Sequence, residues 1–420
     1  MDADIAIIGA GAAGIGAARR LSSSGLKVTM IEAASRIGGR AWTWDLAGLR
    51  LDMGCAWLHS ASRNVWTDLA QAAGHPVDRR DSAWGAQFRD LGVTPAEQQA
   101  ARQSFEGWIE RMAAHPPEGD IAANALAPGN EWNNAIRAKV GFISGGELER
   151  LSAADYTAYD EASTDENWRL PHGYGTLVAA HLPRGIDLRL ATPVQRLDLT
   201  RDGVALETAS GTLQARAVIL TVSTAMLAEG RIGLPAALAP WREAAAQLPL
   251  GRDEKLFLEI VETGPFAPET HVIGNPRSRL TASYNIRAMG NPTVECYLGL
   301  EGADIVSSQG PAAGFAFVMD ELAALFGGEV RRCLRPLAAT NWTRTSHIGG
   351  SYSYALPGQA GARAMLARPF ESRIFFAGEA TRRRDFSTAH GAHESGVRAA
   401  GEALERDGFS LTRLAGRTEV

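Results

Sequence analysis

The sequence predicts an α/β protein in which one domain, built from separated segments, is interrupted by the segments of a second, α+β domain. A glycine-rich turn joins an apolar strand to an alanine-rich helix within residues 4–23, and strand patterns separated by turn residues recur at 192–221. A third pattern of strand, turn and helix occupies residues 374–396. Because 420 residues exceed one ordinary hydrophobic core, we expect two interleaved domains.

The composition is that of a folded protein without a nucleic-acid partner. Hydrophobic residues make up 45% and charged residues 21% of the chain, both near the averages of globular proteins. The net charge is −5, and lysines and arginines are scattered apart from the run at 382–384, which we interpret as a solvated turn. No basic surface for nucleic acid is therefore predicted.

The cysteines and the chain ends favour a cytoplasmic protein. Cys55, Cys296 and Cys333 are too few for a disulfide framework and lack the paired spacing of a zinc site, so we expect reduced thiols. The first apolar run, 5–8, lacks the other features of a signal peptide. No stretch reaches the roughly 18 apolar residues of a membrane helix, and residues 412–420 are polar. We therefore expect no membrane association.

The N-terminal pattern predicts a phosphate-binding turn. Residues 4–8 form an apolar strand, and the sequence Gly-Ala-Gly-Ala-Ala-Gly follows directly at 9–14. Gly9 permits a tight turn, Gly11 lets the backbone approach a pyrophosphate, and Gly14 lets helix and strand pack closely, with the helix N-terminus facing the phosphates. The predicted contacts in this turn are Gly9, Gly11, Ala12, Ala13 and Gly14.

A second strand and the loop after it extend the predicted site. The strand at 27–31 ends in Glu32, about 20 residues after the glycines, where its carboxylate can accept hydrogen bonds from ribose hydroxyls. NAD and FAD both satisfy this pattern. The next segment decides between them, because Arg36 and Arg40 flank the pair Gly38 and Gly39, an arrangement suited to further anchoring of a pyrophosphate.

Here the chain resembles the flavin monoamine oxidase and polyamine oxidase family. In that family a glutamate, an Arg-x-Gly-Gly-Arg element and an Asp-x-Gly segment occur in this order, matched here by Glu32, residues 36–40 and residues 52–54. The resemblance implies a discontinuous Rossmann-like FAD-binding domain with an interleaved α+β substrate domain. We assign residues 1–78, 171–232 and 360–420 to the FAD-binding domain, and residues 79–170 and 233–359 to the substrate-binding domain.

The resemblance also implies a set of FAD contacts. Residues 53–57 pass beside the flavin ring, the backbone of Val194 contacts the adenine, Glu379 binds the ribityl or ribose region, and amides at the start of the last helix face flavin O2. The implied contacts beyond the glycine turn are Glu32, Ala33, Arg36, Gly38, Gly39, Arg40, Met53, Gly54, Cys55, Ala56, Trp57, Val194, Trp342, Gly378, Glu379, Thr388, Ala389, His390 and Ala392.

Five residues are implied to take part in catalysis. Lys255, in a loop of the family, holds a water near flavin N5, and His59 ends a Trp-Leu-His sequence similar to that of polyamine oxidases. Trp342 and Tyr352 are expected to wall the substrate slot. Because Thr388 stands where monoamine oxidases carry an aromatic residue, Tyr352 is expected to be a lone cage member.

Two departures from the family bear on cofactor attachment and substrate. Ser351 stands where mitochondrial monoamine oxidases carry the cysteine that bonds to the flavin, so the FAD is expected to be noncovalent. His393 and Glu394 stand where the polyamine oxidase branch usually carries two leucines. Four acidic residues either steer polyamine cations or form a solvated loop: Asp155, Asp160, Glu161 and Asp165.

The predicted function is oxidation of a small-molecule amine with O2 as acceptor. A hydride passes from the carbon next to the nitrogen to flavin N5, the imine hydrolyses to an aldehyde, and H2O2 forms; no metal is implied. The alternatives are an L-amino-acid oxidase, which needs an arginine for the substrate carboxylate, a flavin desaturase with a lipid-facing surface, and a binding module that keeps FAD for structure.

Overall fold

The structure, a computed structural model, describes residues 1–406. The polar end at 412–420 and the last part of the predicted segment 360–420 lie outside these residues. The strands are β1 Ala3–Ile8, β2 Val28–Ile31, β3 Thr43–Leu46, β4 Leu49–Asp52, β5 Trp57–His59, β6 Asn167–Arg169, β7 Asp187–Arg189, β8 Val194–Leu199, β9 Val204–Thr208, β10 Gly211–Leu220, β11 Asp253–Ile260, β12 Thr270–Ile273, β13 Ala282–Ile286, β14 Thr293–Gly299, β15 Leu334–Ala339 and β16 Ile374–Phe376.

Thirteen α-helices are found within residues 1–406. They are α1 Ala12–Leu21, α2 Val65–Ala72, α3 Pro95–Ala114, α4 Asn133–Ser144, α5 Ala153–Ala162, α6 Tyr174–Ala180, α7 Thr224–Ala228, α8 Ala239–Ala246, α9 Glu301–Gln309, α10 Pro311–Phe326, α11 Val330–Cys333, α12 Ala362–Leu366 and α13 Ala389–Arg406. None of these helices is long and apolar enough to cross a membrane.

The main sheet joins segments that are far apart in the sequence. Its order is β7-β2-β1-β10-β9-β8, with β16 also pairing β10. Strands β7, β2, β1, β10 and β16 run parallel, while β8, β9 and β10, from the strand patterns at 192–221, form an antiparallel meander. This arrangement confirms the α/β class and the Rossmann-like core, whereas the domain bounds stay a prediction.

Helices α1 and α13 cover one face of the main sheet and pack closely on each other. A Cβ built on Gly16 would lie 2.3 Å from the carbonyl oxygen of His393, and one built on Gly396 would lie 1.9 Å from that of Ala13. Only glycine permits this approach of the two backbones. The N-terminal and C-terminal helices are thereby held side by side, and both begin at the edge of the same cavity.

A second, antiparallel sheet supplies the other wall of that cavity. Its order is β12-β13-β14-β11-β15. One face of this sheet packs against α9 and α10 in an apolar core, and the opposite face carries side chains that line the cavity. Residues 79–170 are mostly helical, and α3, α4 and α5 close the cavity from the side.

Candidate functional site

A cavity of about 1230 Å³ lies between the ends of β1, β2 and β10 in the main sheet and the open face of the second sheet. Ligand pockets usually measure roughly 300–1,000 Å³, so this cavity has room for a dinucleotide and a substrate together. Its position at the carboxyl ends of parallel strands is where α/β proteins bind ligands.

The glycine turn forms one end of the cavity. Gly9 has a φ of +105°, and Gly11 begins α1 without any side-chain cap, which leaves the first amides of the helix directed to the cavity. Such free amides suit a phosphate. Gly14 does not line the cavity. It packs the helix on the strand, because a Cβ there would lie 2.0 Å from the Gly9 carbonyl oxygen.

Glu32 is buried and held by the backbone beside this turn. Its carboxylate accepts hydrogen bonds from the amides of Ala10 at 2.7 Å and Ala34 at 2.8 Å. A carboxylate offers about four acceptor positions, so two remain for ligand hydroxyls. Val194, the first residue of β8, lines the cavity together with Thr192 and Pro193. The adenosine end of a dinucleotide fits this part of the cavity.

Arg40 connects the loop at 33–40 to the C-terminal part of the chain. Its guanidinium donates to the Ser351 carbonyl and lies 3.3 Å from the Glu379 carboxylate. Burial raises the pKa of Glu379, but the charges of Arg40 and Arg363 and the hydrogen bonds outweigh it and leave the pKa below its usual value. Glu379 is therefore a buried anion that joins Arg40 to Ser353 and Ser387.

Lys255 lies in strand β11, so the predicted loop position is wrong. The strand begins at Asp253, where it pairs with β14, and β15 joins its other side from Leu256 onward. The Lys255 ammonium donates to the Asp52 carbonyl at 2.9 Å and pairs with Glu295 at 2.7 Å. Two of its three donors are thereby used, and the group is fixed at the cavity wall.

Tyr352 has a tyrosine neighbour at the cavity wall that the sequence did not predict, and its role as a lone cage member stays a prediction. Its hydroxyl lies 2.6 Å from the Tyr297 hydroxyl and donates to the Phe142 carbonyl at 2.6 Å. Tyr297 and Glu295 alternate on β14 with the buried residues Val294, Cys296 and Leu298. This period of two was the signal that could have assigned both to the cavity face.

The tautomer of His59 is set by its neighbour on β6. Strands β5 and β6 pair His59 with Asn167. The Asn167 amide nitrogen donates to the Asp165 carbonyl at 3.0 Å, which turns the amide oxygen to His59 Nδ1 at 2.6 Å. Nδ1 therefore carries the proton, and Nε2 remains an acceptor at the cavity. Burial lowers the pKa of His59, which keeps the ring neutral.

At the start of α13 the structure separates two predicted contacts. Thr388 lines the cavity, but its hydroxyl donates to the Asp385 carbonyl at 2.6 Å and accepts from the Gly391 amide at 3.0 Å, so it caps the helix. His390 does not line the cavity. Its ring is buried between Asn64, at 3.2 Å, and Asp385, at 3.4 Å, because its side chain leaves the helix on the other side.

The four acidic residues have different positions. Asp160 and Asp165 line the cavity, whereas Glu161 does not. Asp155 is buried and forms two hydrogen bonds with Arg363, at 2.6 and 2.8 Å. Asp155 therefore ties α5 to α12 and does not line the cavity. The remaining predicted residues line the cavity: Ala12, Ala13, Ala33, Arg36, Gly38, Gly39, Met53, Gly54, Cys55, Ala56, Trp57, Trp342, Gly378, Ala389 and Ala392.

Two family models match the chain. The model described as flavin containing amine oxidoreductase covers residues 64–404. The model described as NAD(P)-binding Rossmann-like domain covers residues 7–72.

Curated relatives are similar over almost the whole chain. Polyamine oxidase 1 of Oryza sativa subsp. japonica is 29% identical over 503 residues, with 96% of this chain and 97% of the relative covered. Polyamine oxidase 4 of the same plant is 27% identical over 437 residues, covering 96% and 88%. Lysine-specific histone demethylase 2 of Homo sapiens is 25% identical, covering 94% of this chain and 53% of the relative.

Solved structures confirm the fold. A putrescine oxidase double mutant with redesigned cofactor binding superposes with a TM-score of 0.75 at 18% identity, covering 96% of this chain and 99% of that one. Cyclohexylamine oxidase from Brevibacterium oxydans IH-35A gives a TM-score of 0.74 at 20% identity, with the same coverage.

Proposed function

The chain belongs to the flavin-containing amine oxidoreductase family and is an FAD-dependent amine oxidase, and we propose that its cavity holds the FAD and a neutral amine face to face. One observation carries the proposal: the glycine turn, the start of α13 and the wall formed by Lys255, Tyr297 and Tyr352 all line a single cavity. A dinucleotide that enters at the turn reaches this wall with its other end.

The residues present fit FAD. The uncapped start of α1 offers amides to the pyrophosphate, and Glu32 keeps acceptor positions for a ribose. Around Gly378 a Cβ would meet nothing within 4 Å, so the backbone there leaves open space beside Glu379. The first amides of α13 favour negative charge at the pyrimidine side of the flavin. When bound, FAD accepts a hydride at N5 and passes the electrons to O2, which forms H2O2.

The chain's own residues prepare the amine. An amine donates a hydride only when its nitrogen lone pair is free, and the unprotonated Nε2 of His59 can accept the proton of an incoming ammonium. Trp57, Tyr297 and Tyr352 border the cavity with aromatic rings that displace water and orient the carbon next to the nitrogen. Lys255 holds a water at the wall, where it serves hydrolysis of the imine to an aldehyde or the reaction with oxygen.

The proposed substrate is a polyamine or another primary or secondary amine. Relatives named polyamine oxidases support this class, as do Asp160 and Asp165 at the cavity wall. The proposal includes a cytoplasmic location, supported by three cysteines without disulfide partners.

Anaerobic mixing of the holoenzyme with a panel of amines tests the function. Spermine, spermidine, putrescine, aromatic monoamines and amino acids are each mixed with the enzyme, and absorbance near the flavin maximum is followed. We expect bleaching by at least one non-amino-acid amine. Bleaching by amino acids alone identifies an L-amino-acid oxidase, and bleaching by none supports a desaturase or a binding module.

A further inference from the structure

The chain contains only three lysines, and two of them line the same cavity. Lys27 is exposed elsewhere, Lys255 is paired with Glu295, and Lys139 is the second cavity lysine. Unlike Lys255, Lys139 has no carboxylate within ion-pair distance of its ammonium among residues 1–406.

The position of Lys139 is set by helix α4. The cavity face of this helix carries Ala135, Lys139 and Phe142, spaced by about one turn. The backbone carbonyl of Phe142 accepts a hydrogen bond from the Tyr352 hydroxyl. Lys139 lies about one helical turn before Phe142 on α4, away from this contact. Its ammonium sits 3.7 Å from the centre of the Phe105 ring. The side chain is exposed and lines the cavity.

The charges around Lys139 leave its ammonium without a close partner. Burial lowers the pKa of Lys139, with the charge of Arg102 in the same direction and those of Asp160 and Glu106 opposed. Burial raises the pKa of Asp160, partly offset by Lys139. Arg102 and Asp160 line the cavity with Lys139, whereas Glu106 does not. Lys255 is matched by Glu295, whereas Lys139 and its neighbour Arg102 both line the cavity without a carboxylate of the described chain at ion-pair distance, which makes this part of the wall cationic.

We propose that Lys139 binds an anionic group at the far end of the amine substrate, so that the substrate class is an amine with a distal carboxylate. This inference rests on the proposed function and narrows its substrate. A cation at the wall of a cavity attracts an opposite charge more strongly than one in open water, because the surrounding protein lowers the effective dielectric constant. The Lys139 ammonium would repel the second ammonium of a diamine. That second ammonium would also have to compete with Lys139 for the Asp160 carboxylate.

Three amines of matched length test whether the far end of the site binds an anion, a cation or an uncharged group. 6-Aminohexanoate carries a distal carboxylate, cadaverine a distal ammonium, and hexylamine no distal charge. Each is mixed anaerobically with the holoenzyme, and the dissociation constant is obtained from the dependence of flavin bleaching on concentration. Hexanoate, which has no amine, is titrated by calorimetry as a readout of the Lys139 site that needs no turnover.

We expect the wild type to bind 6-aminohexanoate more tightly than cadaverine. A hydrogen-bonded charge contributes about 1.5–3 kcal/mol, so Lys139→Met should weaken 6-aminohexanoate and hexanoate about tenfold to a hundredfold. The affinity for hexylamine should be the same in the wild type and in Lys139→Met. The variant Lys139→Arg should still bind 6-aminohexanoate more tightly than cadaverine. Lys27→Met is the matched control, because it removes the same charge outside the cavity.

The opposite pattern overturns the inference. If cadaverine binds more tightly than 6-aminohexanoate, and Asp160→Asn rather than Lys139→Met removes this advantage, the far end of the site binds a cation. Equal binding of hexanoate to the wild type and to Lys139→Met also contradicts it. If no amine bleaches the flavin the proposed function fails, whereas the hexanoate titration still decides the role of Lys139.

Discussion

The ammonium of Lys255 lies 2.7 Å from the carboxylate of Glu295. The two side chains come from neighbouring strands of the second sheet and are largely buried, with 6% and 17% of their surfaces exposed. A buried charge that loses its partner is costly. Any replacement of Lys255 therefore changes both the chemistry at the cavity wall and the stability of the sheet.

Lys255→Met should slow flavin reduction or reoxidation while FAD stays bound. It should also lower the free energy of unfolding by roughly 3 kcal/mol, because Glu295 is left unpaired. The double variant Lys255→Met/Glu295→Gln should recover most of the stability but not the rate. Stopped-flow kinetics of both half-reactions and chemical denaturation measure these effects. Unchanged rates in both half-reactions would discard the role of Lys255 at the flavin.

Because residue 351 is a serine, we expect acid precipitation to release all of the flavin. The Ser351 hydroxyl donates to Asp253 at 2.6 Å, and a hydroxyl cannot form the thioether that a cysteine forms at this place in mitochondrial monoamine oxidases. The supernatant of acid-precipitated protein should contain all the yellow colour and the pellet none. Colour that remains in the washed pellet contradicts a noncovalent cofactor.

Asn167 should control the pH dependence of amine oxidation through His59. Burial is the main cause of the lowered His59 pKa, and the Asn167 hydrogen bond opposes it. Asn167→Leu removes that bond and should move the acidic limb of flavin reduction to lower pH. Asn167→Asp adds a carboxylate and should move the limb upward by about one unit or more. The control Asn134→Asp adds a carboxylate at an exposed residue and should leave the acidic limb at the same pH. If the pH profiles of flavin reduction are identical for all variants, His59 is not the proton acceptor.

His393 should make the protein sensitive to acid. Burial lowers its pKa to about 4, from an ordinary value of 6.5, and neither ring nitrogen has a hydrogen-bond partner. Between pH 6.5 and about pH 4, His393 is therefore protonated in the unfolded chain but neutral in the folded one. The free energy of unfolding falls by roughly 3 kcal/mol as the pH is lowered through that interval.

His393→Leu should remove this loss. Leucine fills the space against Trp66, where the rings now lie 5.0 Å apart, without buried unpaired nitrogens. Thermal unfolding between pH 4 and 8 should show a higher melting temperature for the variant, with the largest gain at the acidic end. A variant less stable than the wild type at pH 5 would refute the account.

The pair between Asp155 and Arg363 should stabilise the contact between the helical insertion and the C-terminal segment. Both side chains are almost fully buried, and the same guanidinium donates to Ser353, which donates to Glu379. Arg363→Met should cost about 3–5 kcal/mol and weaken FAD retention. The control Arg331→Ala breaks an exposed pair with Asp320 and should cost less than about 1 kcal/mol. Equal effects of the two variants would contradict a structural role for the buried pair.

The sequence by itself determined the strand, glycine turn and helix at the start of the chain, and only the tertiary structure decided which side chains share the cavity with them. Gly9, Gly11 and Glu32 could be predicted because strand, turn and helix follow one another along the chain, and each glycine answers a local backbone requirement. His59 and Lys255 were found from short motifs of a known family.

The partners of those residues come from distant parts of the chain. Asn167 meets His59 through strand pairing across 108 residues, and Tyr297 meets Tyr352 only because β14 faces the cavity. Lys139 is one residue of an amphipathic helix until the packing of α4 turns it inward. A local pattern fixes backbone shape, but which side chains share a cavity depends on pairing and packing between segments, and these arise only in the folded chain.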